Sequence, residues 1–339
     1  MDEDGFRNFC VEAGLDESVI QTSVGVVRYS EAFLEKEGWG KNLGDLTTPD
    51  LESLVAHMIE EGKNTEGNLL ALLRYIRFAS NREAEVFLLE ILGGNHVMNS
   101  LSDTLRGVVG ESKRDEILGS LEIPPLGTLP KDKLGFTKEF MERLQSRLDE
   151  KTCKDVLLSG PHAHPREEYL PDRKRFLASK SIDDFLEQRR REFLNLLARH
   201  VREKTLFYTQ EIDETVLEYI RNNPIDVRVG DTIHITKITY MAKEYLREKD
   251  ERKKRYYYCH CPWAREAIVS RVEIPVNFCY CSAGHAKRPW DVIFDQPVEA
   301  EVLETVLKGD MVCRFAIHIP KECLDIDKSS STSKGRRNL

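Results

Sequence analysis

The chain of 339 residues carries 50 Lys and Arg against 58 Asp and Glu, a net charge of −8, with 40% hydrophobic and 32% charged residues. This balance excludes collagen-like and wholly disordered chains, and the length suffices for two domains with a core each. No window approaches the eighteen or so apolar residues of a membrane helix, and the start, Met1-Asp-Glu-Asp-Gly-Phe-Arg, lacks the basic and apolar stretches of a signal peptide. A cytoplasmic protein with no membrane partner is expected.

The charge is uneven. Residues 1–150 hold 16 basic and 28 acidic side chains, leaving 34 basic and 30 acidic for the rest. Neither part resembles a nucleic-acid groove, and the acidic first part repels phosphate backbones, so DNA or RNA is not expected as a partner.

From the start to about residue 150 the chain reads as helix. Thr48-Pro49 supplies a cap and a first-turn proline ahead of Leu51, Leu54, Val55 and Met58 at helical spacing. Leu69, Leu72, Leu73 and Ile76, then Val86, Leu88, Leu89 and Leu92, continue the pattern with short connections, as in a helical bundle. The breaker-rich stretch 121–132 is a candidate linker, and 159–171 is irregular. Ser181 caps a long helix that ends near Lys204, with Ile182, Phe185, Phe193, Leu196, Leu197 and Val201 on one side.

Beyond Thr205 the period changes. Thr232-Ile-His-Ile-Thr-Lys-Ile alternates as a half-buried strand, Tyr256–Cys261 is a second strand candidate, and 282–295 reads as a helix. Residues 298–306 and 312–319 form two strands around a Gly309 turn. The expected class is α+β. A helical domain spans 1–150, an α+β small-molecule-binding domain with an antiparallel sheet and C-terminal hairpin spans 151–325, and 326–339 is a disordered tail.

Six of the eight cysteines lie in the last quarter of the chain. Cys259-His-Cys261 and Cys279-Tyr-Cys281 are paired C-x-C units, and on strands each pair would present its two sulfurs to one side. Facing each other they offer four thiolates to tetrahedral zinc, with Cys313 as a fifth candidate and His260, His285 and His318 as candidate nitrogens. Buried small hydrophobes, or a redox dithiol activated by His260, Arg265 or Arg288, are the competing readings.

The segment from Phe278-Cys-Tyr-Cys-Ser-Ala-Gly-His to Cys313-Arg-Phe-Ala-Ile-His-Ile resembles the C-terminal end of the L-2-amino-thiazoline-4-carboxylic acid hydrolase family. It also resembles the related 4-vinyl reductase-like small-molecule-binding domain of phenol- and xylene-sensing bacterial activators. Cys279, Gly284, Ile293 with Pro297, Gly309 and Cys313 occupy the places of that pattern. The likeness extends loosely over 180–320 and does not reach before residue 150. It implies zinc bound through Cys279 and Cys313. The sensor domains' other two ligands, a Glu and a Cys, correspond here to Val302 and Thr305, so Cys259, Cys261 and Cys281 would have to substitute for them.

Eight aromatic residues fall within 256–294, which suggests a pocket for a small, planar, anionic ligand lined by Trp263, Tyr280, Trp290 and Phe294, with Arg265 and Arg288 for its carboxylate. A plain aromatic core is the alternative. The expected function is therefore a zinc-containing small-molecule-binding protein, a hydrolase acting on a C–N bond of a heterocyclic carboxylate, with a ligand sensor carrying structural zinc and a thiol redox protein as the alternatives. Homo-oligomerisation is left open. His162 and His164 read as a Pro-flanked loop, Arg247–Arg255 as a solvated turn, and His234 as a strand histidine without a catalytic role.

Overall fold

The computed structural model describes residues 2–94, 96–159 and 165–324. His162, His164 and the expected tail at 326–339 lie outside the described residues.

Two compact units are present. The first comprises Met1–Asn95 and Pro124–Lys133. Its helices are α1 (Glu3–Glu12), α2 (Glu17–Lys36), α3 (Thr48–Glu60), α4 (Glu66–Phe78) and α5 (Arg82–Leu92). Helix α3 begins one residue earlier than the Thr48 cap suggests: the backbone N–H and hydroxyl of Thr47 both donate to the Asp50 carboxylate, at 2.9 and 2.7 Å. That carboxylate closes the first turn and complements its unpaired N–H groups. Leu51, Leu54, Val55 and Met58 are buried as their spacing requires, together with Leu69, Leu72, Leu73 and Ile76.

The second unit comprises His96–Ile123 and everything from Leu134 onward. Four helices come first: α6 (Val97–Val109), α7 (Glu111–Leu118), α8 (Leu134–Arg147) and α9 (Glu150–Ser159). The division therefore does not fall at residue 150. Val97, Leu101, Leu105, Phe140 and Leu144 share one core with Trp263, Phe278 and Cys281, so these helices complete the α+β unit.

Next come α10 (Leu170–Ala178), α11 (Ile182–Glu203), the short pair β1 (Leu206–Phe207) and β2 (Gln210–Glu211), and α12 (Glu214–Asn222). Helix α11 starts at Ser181, whose side chain accepts from the Asp184 N–H. The remainder is β3 (Asp226–Val229), β4 (Thr232–Thr236), α13 (Ala242–Arg247), α14 (Glu251–Tyr258), α15 (Arg265–Ser270), α16 (Tyr280–Ile293), β5 (Ala300–Glu304) and β6 (Arg314–His318). The last four strands form an antiparallel sheet in the order β3-β4-β6-β5, so the class is α+β with the expected C-terminal hairpin. Ile233, Ile235 and Ile317 face a core with Trp290, Ile293 and Phe294 of the α16 region, which places that helix against the sheet.

The expected strand at Tyr256–Cys261 is a correction. Residues 251–258 are helical because Asp250 accepts the Lys253 N–H at 2.8 Å and caps the turn, and the charged run Glu-Arg-Lys-Lys-Arg prefers helix. Among the described residues no helix is long and apolar enough to cross a membrane.

Candidate functional site

The five cysteines line one cavity although none of them lies within a strand. Cys259 closes the C-terminus of α14, and Cys261 follows in the turn before α15. Cys279 sits at the N-cap of α16 with Cys281 in its first turn, and Cys313 immediately precedes β6. All five line one cavity of about 20 Å³, roughly the space of one water molecule or one ion. The i, i+2 same-side argument is thus replaced by helix ends and a strand end that converge.

Other lining residues include Lys237, His260, Ser282 and Thr305, and no carboxylate is among the described lining residues. Cys279 Sγ is 3.0 Å from Thr305 Oγ1. Lys237 Nζ donates to Ser282 Oγ at 3.4 Å. Val302 and Thr305 carry no ionisable group, and the neighbouring acids turn elsewhere: Glu301 meets His318 at 3.2 Å and Glu304 meets Arg314 at 2.8 Å. His285 is exposed, so His260 is the one candidate nitrogen among the described residues that lines the cavity.

Burial governs the electrostatics. It pushes the Cys259 thiol up to about 12, and the neighbouring Cys261 and Cys313 sulfurs add to the rise. Cys279 is raised far above the usual thiol range by burial and then by Cys313, with Thr305 opposing; Cys281 is raised by burial and by Cys261. The ammonium of Lys237 opposes the rise at Cys259, Cys281 and Cys313. His260 is lowered to about 3 by burial and by Lys237, and its bond to Ile238 only partly restores it.

Five thiols with no carboxylate form a donor set for a soft ion, and the cavity has room for one. Among the described residues, no three His, Cys, Asp or Glu side chains already stand in a coordinating arrangement. Loading an ion therefore requires the sulfurs to be deprotonated and drawn inward.

The aromatic pocket is a second correction. Trp263 is buried in one core with Phe136, their ring centroids 5.8 Å apart, whereas Trp290 is buried in another with Phe294 at 5.5 Å. Neither tryptophan lines the cavity, nor do Tyr280, Phe294, Arg265 or Arg288. Tyr280 packs between the cores with the Lys154 ammonium 5.1 Å from its ring. Arg265 is almost fully buried, held 4.9 Å from both the Tyr240 and Tyr256 rings and 3.7 Å from Glu266, so its charge is already accommodated. Arg288 interacts electrostatically with Tyr169 and does not line the cavity. The rings are core because large apolar side chains distribute over every helix contact available, and sequence proximity alone does not gather them.

Lys237 is the member that sequence reasoning missed. Its signal was a cation at the end of an otherwise apolar and threonine-rich strand, where a solvent-facing lysine is the ordinary reading. No family model, curated protein or solved structure matches the chain.

Proposed function

We propose that the second unit is a soft-metal-binding domain in which a zinc ion ties the cysteine-bearing segments together. The observation that carries this reading is the convergence of Cys259, Cys261, Cys279, Cys281 and Cys313 on one cavity without a carboxylate. Thiolates select zinc or a comparably soft ion over magnesium and calcium. The likeness of 278–319 to zinc-binding sensor domains supports Cys279 and Cys313 as ligands. A cavity of about 20 Å³ suits an ion, whereas a heterocyclic substrate occupies a site of roughly 300 Å³ or more. The role that fits is structural, in the manner of a closed zinc site, and hydrolysis of a small heterocycle is the less supported reading.

The test is elemental analysis of the purified full-length protein. About one zinc per chain is expected in the wild type, with strong loss in the Cys279→Ser/Cys313→Ser double variant. A metal-free wild type that also takes up no added zinc would overturn the proposal.

A further inference from the structure

We propose that a divalent ion in this cavity is held by three thiolates and by Nδ1 of His260, with the Lys237 ammonium balancing the charge. The inference rests on the metal reading above and adds to it the ligand set.

The first argument is the tautomer. His260 lines the cavity, and its Nε2 lies 2.6 Å from the carbonyl oxygen of Ile238. A carbonyl only accepts, so Nε2 carries the proton and Nδ1 holds the lone pair. A histidine whose remote N–H is fixed on a backbone carbonyl is prepared as a metal ligand, since the bond sets both tautomer and ring orientation.

The second argument is charge. Among the described lining residues Lys237 is the sole charged side chain, and no carboxylate pairs with it. Its backbone is anchored to the site: its N–H donates to the Cys313 carbonyl at 3.0 Å, and its own carbonyl accepts the Tyr258 hydroxyl. Four thiolates around a divalent ion leave two negative charges facing a single ammonium. Three thiolates and a neutral imidazole leave one, which Lys237 cancels. Burying net charge is costly, so the neutral arrangement is favoured. Five sulfurs then exceed what the ion takes, and the two remaining stay as thiols.

The experiment uses the full-length protein loaded with Co²⁺. The thiolate-to-cobalt charge-transfer band should have the intensity of three sulfurs per ion, and proton NMR should show one hyperfine-shifted, exchangeable imidazole N–H. His260→Gln should remove that resonance, and it and Lys237→Met should each weaken retention against a chromophoric chelator by about tenfold or more. Lys237→Arg should retain the ion. A four-sulfur band without a shifted N–H overturns the ligand set, and Lys237→Met with unchanged retention overturns the role of the ammonium. A wild type that takes up no cobalt brings down the metal reading itself. If His260→Gln fails to fold, the two wild-type spectra still decide.

Discussion

A Cβ placed on Gly284 would stand 2.3 Å from the carbonyl oxygen of Leu158, so α9 and α16 meet backbone against backbone at this point. Only a residue without a side chain permits that approach. Gly284→Ala should force the helices apart and lower stability by about 2 kcal/mol or more in urea denaturation, the upper range of overpacking costs. Gly135→Ala, where nothing lies within 4 Å of the added carbon, is the control and should be neutral or slightly stabilising. Equal effects would show that the contact is not tight.

The shared core of the second unit predicts how fragments behave. A fragment beginning at residue 151 lacks Val97, Leu101, Leu105, Phe140 and Leu144, which pack with Trp263 and Phe278. It should show no cooperative thermal transition, while a fragment beginning at residue 96 should unfold cooperatively. A well-folded 151–339 fragment would restore the boundary expected from the charge split.

The metal-free protein should lose stability in acid through His260. Its folded value is depressed from 6.5 to about 3, first by burial. A depressed value stabilises fully above the unfolded one, so the contribution declines as pH falls from about 6.5 toward about 3. Denaturation midpoints measured across that window should fall less steeply in His260→Gln than in the wild type. Parallel slopes would show that the imidazole is not held neutral.

Trp263 is a core residue and not a ligand-facing one. Trp263→Ala should cost about 3–5 kcal/mol by calorimetry, as expected for an emptied aromatic site. A loss below about 1 kcal/mol would place the ring at the edge of the core instead.

Much of the fold was legible because local chemistry and tertiary packing agree. The Ser181 cap of α11, the alternation of β4 and the Gly309 turn each carry a signal within a few residues, and Gly309 has a φ of +121° that favours glycine. The stretch 256–261 misled because three tyrosines and two cysteines have strand propensity, and the helix is decided upstream at Asp250. The candidate site was half legible. The cysteines were found by their clustering, but the reason they converge lies in how helix ends meet, which no i, i+2 rule contains. Lys237 and the Ile238 carbonyl come from a segment remote in sequence, and only folding brings them to the sulfurs.

The cavity's sulfurs come from three separate stretches of chain, and burial raises the thiols of Cys259, Cys279, Cys281 and Cys313 above their ordinary range. That combination bears on kinetics. Such a site assembles only after α14, α16 and the start of β6 have docked, so ion uptake follows folding and does not nucleate it. Once the site is formed, full release of an ion requires local opening of the surrounding helix ends, because Cys259, Cys281 and Cys313 are buried. The exchange rate should then follow the amide hydrogen exchange of residues 259–261 and 279–281, and remain nearly independent of chelator concentration.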